Sequence, residues 1–199
     1  GEIAMPNHIS VCVCTLRRNR MLERLLRKLA EQESGGLFDF SVVVVDNDAS
    51  GPARETVERL KSELGLDMTY GIEQVQMIAA ARNRALQLAK GDFIAIIDDD
   101  EFPPPQWLLT MFRSIRTFDV DGALGPVIPF FDQEPPSWLV KSRLCERPVL
   151  RTGTLLSWDQ TRTGNVLLKR RVFDEHGLQF DLKYKTSGSD KEFFREAAQ

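Results

Sequence analysis

Hydrophobic positions along the first 120 residues follow two alternating patterns. Short continuous apolar runs predict buried strands, and these runs lie at 9–14, 40–45, 68–70 and 93–97. Each run precedes a segment with apolar residues at helical spacing, at 21–31, 53–64, 78–89 and 107–115. Because strands that alternate with helices pair in parallel through right-handed crossovers, the pattern predicts an α/β fold with a mostly parallel central sheet and helices on both faces.

The regular alternation ends near residue 120. A strand is predicted over 123–128, and an irregular segment with several prolines follows over 129–147. An irregular segment of this length in a compact domain is typical of a lid or a binding loop. The remaining predicted elements are a strand over 166–168 and helices over 171–176 and 190–198. Because the chain stops at the end of that last helix, we expect a longer protein that is truncated at its C-terminus.

Composition narrows the functional class. The chain has 199 residues and a net charge of -3, with 42% hydrophobic and 28% charged residues, as is typical of an ordinary globular domain. Its short basic clusters, at 17–20 and 169–171, are too small to predict a nucleic-acid surface, so we expect no nucleic-acid partner. No apolar stretch approaches the ~20 residues that cross a bilayer. The sequence also lacks the glycine-rich fingerprints of dinucleotide and nucleoside-triphosphate sites.

Four consecutive carboxylates, residues 98–101, directly follow the apolar run at 93–97. Like charges repel one another, and burying them at a strand exit costs free energy unless a cation neutralises them. Strand alternation places Asp98 and Asp100 on one face, and carboxylate oxygens are ligands that Mg²⁺ and Mn²⁺ prefer. The sequence therefore predicts a divalent-cation site at this strand end, with Glu101 as a turn or solvent-facing residue.

Polar residues also end the first two predicted strands. Thr15 ends the first strand, and Asp46 follows the second. Ligands bind at the carboxyl ends of the strands in open α/β sheets. We therefore expect both side chains to lie on the same edge as the four carboxylates at 98–101, here called the acid run. Each residue has a structural alternative, since Asp46 suits a tight turn and Thr15 can simply end its strand.

Several short motifs, taken in order, carry a family resemblance. They lie at 15–20, 44–50, 81–86, 91–100, 164–168 and 188–194. In this order and spacing the chain resembles a bacterial family two glycosyltransferase with the GT-A fold, over about residues 8–198. The resemblance implies a single GT-A-like catalytic domain over 1–199, with a nucleotide-binding half at about 8–120 and an acceptor-side half at about 121–199.

The resemblance also implies roles for individual residues. The expected nucleotide-binding residues are Thr15, Asp46, Arg82, Asp98 and Asp99, with Asp98 also shaping the turn. Asp100 is the expected ligand of a Mn²⁺ or Mg²⁺ cofactor, and Gly164 and Asn165 are expected beneath the sugar and the acceptor. An exposed helix arginine at position 82 and a turn residue at position 165 are the structural alternatives.

Asp190 is the catalytic base that the resemblance implies. A transfer with inversion needs a group that removes the proton from the attacking acceptor hydroxyl. The family places this acid in a Glu-Asp pair at the start of a late helix, and here Ser189 stands in place of the Glu, which leaves acceptor positioning open. Ser189 with Glu192 also fits a helix capping box, and an acid in the first turn complements the helix dipole.

The implied function is metal-dependent, inverting transfer of a sugar from a nucleotide-diphosphate sugar, typically a UDP-sugar. The implied acceptor is a glycan or a lipid-linked glycan. The implied location is the cytoplasm, including the inner face of the membrane through peripheral association. Two alternatives stay open: a non-catalytic module that binds sugar nucleotides or glycans, and a sugar-phosphate nucleotidyltransferase. The glycine-rich loop of the latter has no counterpart at 15–20.

Overall fold

The computed structural model describes residues 7–143, 145–175, 177–183 and 189–197. The strands are β1 (Asn7–Thr15), β2 (Phe38–Asp46), β3 (Met68–Ile72), β4 (Phe93–Ile96), β5 (Gly122–Leu124) and β6 (Val166–Lys169). The helices are α1 (Asn19–Ala30), α2 (Arg54–Leu64), α3 (Ile78–Leu88), α4 (Trp107–Phe118), α5 (Ser137–Ser142), α6 (Arg171–Asp174) and α7 (Ser189–Ala197), with a 3₁₀ turn at Trp158–Gln160. Strands and helices alternate up to α4, as the apolar pattern predicts.

The described strands form one six-stranded sheet in the order β3-β2-β1-β4-β6-β5. β1 pairs in parallel with β2 and β4, and β2 pairs in parallel with β3. β6 is antiparallel to β4, and β5 is antiparallel to β6. The predicted mostly parallel sheet is confirmed. The chain winds from β1 towards β3 on one side and returns to β4 on the other, so a topological switch point lies between β1 and β4.

Helices cover both faces of the sheet, because alternate residues of each strand point to opposite faces. On one face, α1, α2 and α4 bury leucines and Phe112 against Val11 and Val42. On the other face, α3, α6 and α7 bury alanines and phenylalanines against Cys12 and Val43. Each fully buried leucine or phenylalanine contributes roughly 1.5–3 kcal/mol. Two apolar cores therefore hold the sheet, and its carboxyl edge is left to polar residues.

The strand predicted over 123–128 is shorter than expected and spans only Gly122–Leu124. The chain leaves the sheet at Gly125, whose N–H donates to the Asn165 carbonyl. The Asn165 side chain then donates to the Pro126 carbonyl at 2.8 Å. The residue after Gly125, Pro126, has no backbone N–H to donate to the sheet, so the strand ends here and the apolar residues that follow do not extend it.

The segment predicted as irregular over 129–147 contains a short helix. α5 begins directly after Pro136, a residue that favours helix starts because its φ is fixed. Its Trp138 is 63% exposed, so the helix belongs to neither apolar core. Further along, the helix predicted over 171–176 ends at Asp174, and its last predicted residue lies outside the described part of the chain.

The turn into β4 is fixed by a buried contact with β1. Ser10 is fully buried, and its hydroxyl accepts hydrogen bonds from the backbone N–H groups of Lys90 (3.1 Å) and Gly91 (2.9 Å). A Cβ on Gly91 would lie 2.5 Å from the His8 carbonyl oxygen and 2.7 Å from the Ser10 nitrogen. Because both atoms belong to the backbone of β1, only glycine fits at this position.

We expect Gly91→Ala to lower the free energy of unfolding by about 2–3 kcal/mol, because the new methyl group pushes β4 away from β1. Gly71→Ala is the matched control, since the Cβ it adds meets only the end of the flexible Leu88 side chain. Urea unfolding followed by circular dichroism measures both variants. Equal losses in the two variants would contradict the backbone contact as the cause.

Candidate active site

The predicted site residues converge where β1, β2 and β4 end. Thr15 and Asp46 are cross-strand partners at the last paired positions of β1 and β2. β4 ends beside β1, and the acid run at 98–101 follows it closely. Since β6 runs antiparallel to β4, the start of β6 meets the end of β4. Gly164 and Asn165, which precede β6, therefore lie next to the acids although they are far away in sequence.

Asp99 is the buried carboxylate of the acid run, with an exposed fraction of 5%. The Thr15 hydroxyl donates to its Oδ2 at 2.8 Å, and Arg18 Nη1 donates to its Oδ1 at 3.1 Å. Burial raises the pKa of Asp99, while the Thr15 hydrogen bond and the Arg18 charge oppose that rise. Thr15 therefore does more than end its strand, because it holds Asp99 across the switch point.

Asp100 is the accessible carboxylate beside it. Arg18 Nη1 also donates to Asp100 Oδ2 at 3.1 Å, so a single guanidinium nitrogen bridges two carboxylates. Half of the Asp100 side chain, 50%, is exposed and can be reached by a ligand. The sequence pattern predicts no role for Arg18. A usable signal is its place shortly after the end of a strand that converges with an acid run.

Arg82 faces Asp98 from α3. Its Nη2 lies 3.7 Å from Asp98 Oδ1, and its side chain is only 9% exposed. The guanidinium also lies 5.4 Å from the centroid of the Phe180 ring. Arg82 is thus a buried cation, and the alternative of an exposed helix arginine is wrong. Its placement gives the acid run a positive neighbour on the α3 side.

Glu101 closes the turn after β4, since its backbone N–H donates to the Asp98 carbonyl at 3.0 Å. The turn, one of its two expected roles, is therefore confirmed, whereas the other, a solvent-facing side chain, is not observed. The side chain is half-buried, and no group among the described residues donates a hydrogen bond to its buried Oε2 atom. Burial and then the negative charge of Asp98 raise the pKa of Glu101 from its ordinary value of 4.5 to about 7.

Gly164 makes room for this turn, because a Cβ there would lie 2.7 Å from Glu101 Oε1. Asn165 follows in the left-handed region, with a φ of 57°. Its Oδ1 accepts a hydrogen bond from Trp107 Nε1 at 2.6 Å, and its Nδ2 donates to the Pro126 carbonyl at 2.8 Å. The Asn165 amide therefore ties together the wall of the site. The predicted contacts of Gly164 and Asn165 with sugar or acceptor stay predictions.

Asp46 is fully buried at the end of β2. Its carboxylate accepts hydrogen bonds from the N–H groups of Asp48 (3.2 Å) and Ala53 (2.8 Å) and from the Tyr70 hydroxyl (2.9 Å). These contacts fix the loop that leads into α2. Asp46 therefore acts as a turn-forming acid that accepts hydrogen bonds from three protein groups. The predicted hydrogen bond between Asp46 and a nucleotide base stays a prediction.

The predicted base is the second residue of α7, which begins at Ser189. The side chains of Ser189 and Asp190 lie outside the described residues, so the catalytic role of Asp190 stays a prediction. Glu192, which the predicted capping box pairs with Ser189, forms an ion pair with Arg195 one turn further along the helix.

Phe180 connects α7 with α3, the helix whose Arg82 faces the acid run. Phe193 of α7 stacks on Phe180, with 4.7 Å between the ring centroids. Asn83 of α3 donates to the Phe180 carbonyl at 2.9 Å and accepts from the Phe180 N–H at 2.8 Å. Because Asn83 directly follows Arg82, one buried unit connects α7 with the arginine beside the acids.

A cleft of about 790 Å³ runs beside β5. Its walls are β5, α4, the segment 148–162 and Phe194 of α7. Arg162 lines this cleft, and its positive charge acts on the Glu101 carboxyl. Arg162 therefore links this cleft electrostatically with the acid run.

The acid run supplies the oxygen donors that a Mn²⁺ or Mg²⁺ ion needs. Within the described ranges, no group of three or more His, Cys, Asp or Glu side chains is arranged to hold a metal by itself. Mg²⁺ commonly uses one or two carboxylates and completes its shell with water and substrate phosphates. The accessible Asp100 and the buried Oε2 of Glu101 are donors that fit such an ion.

The fold and the site together define a class of protein. A mostly parallel sheet, a switch point between β1 and β4, and an acid run at that point with cations opposite it are the features of a GT-A glycosyltransferase domain. The sequence model of glycosyl transferase family 2 matches residues 10–178. The chain belongs to this family.

One relative of the chain is a longer protein. The chain is 36% identical over 203 residues to the succinoglycan biosynthesis protein ExoM of Rhizobium meliloti (strain 1021). The match covers 96% of this chain and 62% of ExoM, so the chain spans less than two thirds of the length of that relative.

Solved structures share the fold. S. aureus TarS 1-349 superposes with a TM-score of 0.74 at 21% identity, covering 96% of this chain and 55% of that one. Its complexes with UDP and UDP-GlcNAc give TM-scores of 0.72 and 0.71 at 22% identity, covering 96% of this chain and 54% and 53% of theirs. Mannosyltransferase PcManGT from Pyrobaculum calidifontis, in complex with GDP-Man and Mn²⁺, gives 0.67 at 19% identity over 98% and 53%. At these identities the likeness establishes the fold alone.

Because its pKa is raised in the folded protein, ionised Glu101 lowers stability, and the loss grows as the pH rises from 4.5 to about 7. With EDTA present, we expect Glu101→Gln to raise the free energy of unfolding by about 1–2 kcal/mol at about pH 8, and by less at about pH 5. Urea unfolding at both pH values measures the difference. The control is Glu58→Gln, at an exposed position of α2, which should show no such dependence. A gain of equal size at both pH values would argue against the raised pKa.

Proposed function

We propose that this chain is the catalytic domain of an inverting glycosyltransferase, which moves a sugar from a UDP-sugar to a glycan or lipid-linked acceptor. The observation that carries the proposal is the acid run at the switch point between β1 and β4. There Thr15 and Arg18 hold Asp99, and Arg82 faces Asp98. Membership of glycosyl transferase family 2 supports the same reaction class.

The nucleotide side of the site comprises Thr15, Asp46, Arg82, Asp98 and Asp99. The TarS complexes contain UDP and UDP-GlcNAc, whereas the PcManGT complex contains GDP-Man. The proposal of a uracil nucleotide follows the TarS complexes, and a panel of nucleoside diphosphates decides between uracil and guanine. The placement of Asp99 and Asp46 after β4 and at the end of β2 supports a position beside the nucleoside, because ligands bind at the carboxyl edge of open α/β sheets.

Asp100 is the residue that would hold a Mn²⁺ or Mg²⁺ ion. A bound ion supplies positive charge that stabilises the negative charge on the departing diphosphate. The exposure of the two neighbouring carboxylates supports this division of roles. Asp100 is half-exposed, so a diphosphate can reach it. Asp99 is buried against Thr15, so only a group that enters between the ends of β1 and β4 can contact it.

Asp190 is the base in this proposal. Its carboxylate accepts the proton of the acceptor hydroxyl while that oxygen attacks the anomeric carbon from the face opposite the diphosphate, and this single displacement inverts the configuration. The anchoring of α7 through Phe193 and Phe180 to α3 supports a fixed position relative to the acid run. Gly164 and Asn165 form the wall on which the sugar and the acceptor would rest.

The name of one relative supports the proposed acceptor class. ExoM is named for succinoglycan biosynthesis, a polysaccharide product, which supports a growing glycan or its lipid-linked form as acceptor. In the part of the chain that the structure describes, no helix is long and apolar enough to span a membrane. In this proposal a lipid-linked acceptor would be met at the inner face of the membrane, by peripheral association of this domain.

A panel of nucleoside diphosphates tests the donor assignment. We expect UDP with Mn²⁺ to raise the thermal midpoint, because ligand at a hundred times its Kd stabilises the folded state by about 2.7 kcal/mol. GDP, ADP and CDP should give smaller shifts, and UDP with EDTA should give little. A shift with GDP alone would replace the assigned nucleotide. A domain that binds UDP but never releases it from any UDP-sugar would be the non-catalytic module.

Two substitutions separate the leaving-group residue from the base. We expect Asp100→Asn to lose Mn²⁺-dependent UDP binding, and Asp190→Asn to keep that binding while transfer falls by about 10²–10⁴-fold, the range typical of a lost general base. Calorimetry measures UDP binding, and UDP release from UDP-sugars with lipid-linked glycan extracts measures transfer. Asp39→Asn, on an exposed position at the opposite end of β2, is the matched control. Full transfer activity in Asp190→Asn would overturn the base assignment.

A further inference from the structure

We propose that Arg18 is an internal counter-ion of the acid run, which competes with the divalent cation and makes cation binding depend on the nucleotide diphosphate. This inference rests on the proposed function, because it concerns the same cation and the same nucleotide. It assigns Arg18 a regulatory position at the site: the guanidinium holds Asp99 and Asp100 together until a diphosphate arrives.

The bridging geometry supports competition. Arg18 Nη1 lies 3.1 Å from Asp99 Oδ1 and 3.1 Å from Asp100 Oδ2, so its charge is shared between the two carboxylates. A divalent ion bound to Asp100 draws on the same negative charge. Two cations beside one accessible carboxylate repel each other, so binding of the ion alone must weaken or break the Arg18 bridge.

The two arginines that lie within 4 Å of the carboxylates of Asp98, Asp99 and Asp100 differ in their freedom to move. The Arg82 side chain is 9% exposed and lies over the Phe180 ring, so the surrounding core fixes it. The Arg18 side chain is 55% exposed and precedes α1 on the surface loop after β1. Only the more exposed of these two guanidinium groups can swing away from the acids without disturbing an apolar core.

A nucleotide diphosphate offers the displaced guanidinium a new partner. The planar fork of arginine matches phosphate oxygens and forms charge-assisted hydrogen bonds with them. Arg18 also stands at the start of α1, where the helix dipole favours negative charge. When the diphosphate is bound, Arg18 can leave Asp100 and pair with phosphate oxygens instead, so the guanidinium charge stays compensated. This exchange of partners links the affinity for the cation to the presence of the nucleotide.

An orienting role for Arg18 predicts the opposite sign. If the bridge served only to point Asp100 towards the ion, removal of the guanidinium would weaken Mn²⁺ binding. If the bridge competes with the ion, removal of the guanidinium strengthens Mn²⁺ binding. The two roles are therefore separated by the direction of one measured change.

The experiment measures Mn²⁺ affinity by the loss of the free-ion electron paramagnetic resonance signal, with and without saturating UDP. We expect Arg18→Met to bind Mn²⁺ alone about tenfold more tightly than the wild type, and the gain in Mn²⁺ affinity caused by UDP to shrink by a similar factor. Arg18→Lys keeps the charge and should stay near the wild type. Arg20→Met removes the same charge from an exposed position of α1 and should also match the wild type.

Equal or weaker Mn²⁺ binding by Arg18→Met, with UDP binding intact, would overturn this inference and leave the proposed function standing. Tighter Mn²⁺ binding with an undiminished UDP effect would overturn the coupling. Absence of Mn²⁺ binding in every variant, with and without UDP, would overturn the metal assignment of the proposed function and this inference with it. A stronger stabilisation of Arg18→Met than of the wild type by Mn²⁺ in thermal unfolding would support competition independently of the spectroscopic signal.

Discussion

Compensation of negative charge at the carboxyl end of β4 is the constraint on which the rest of the site depends. The buried apolar run of β4 brings four consecutive acids to one edge of the sheet, where they are too close together to remain without partners. Each neighbouring element contributes part of the compensation. The loop after β1 brings Thr15 and Arg18 to Asp99, and α3 brings Arg82 to Asp98. The order of the strands therefore determines which polar and positively charged side chains reach the acid run.

The predictable part of the fold rests on signals that are local in sequence. Apolar runs and helical spacing each report on a few neighbouring residues, so the strands and helices up to α4 follow from them. The position of the acids at a strand end follows in the same way. The bridge from Arg18 to Asp99 and Asp100 does not, because it depends on β1 lying next to β4. The inward side chain of Glu101 likewise depends on the antiparallel approach of β6, which brings Gly164 against it.

Two residues with predicted ligand contacts are engaged by the protein itself. The Asp46 carboxylate accepts hydrogen bonds from the loop into α2, and the Asn165 amide joins α4 to the turn after β5. Sequence reasoning identifies such positions because the chemistry of a ligand contact and of a loop anchor is the same: a short polar side chain at a strand end. A functional site needs both kinds of residue, since the groups that touch substrate must be held by others that do not.

The two halves of the proposed reaction meet through Phe180 rather than through a surface loop. Phe180 is 1% exposed and stacks on Phe193 of α7. Its backbone N–H and carbonyl both form hydrogen bonds with the side-chain amide of Asn83. Arg82, which directly precedes Asn83 in α3, lies over the same ring and faces Asp98. Interiors are close-packed, so a shift of α7 against this ring would also move the arginine. The spacing between the acids that would serve the leaving group and the helix that carries the proposed base is therefore set by core packing, and a catalytic geometry needs that rigidity.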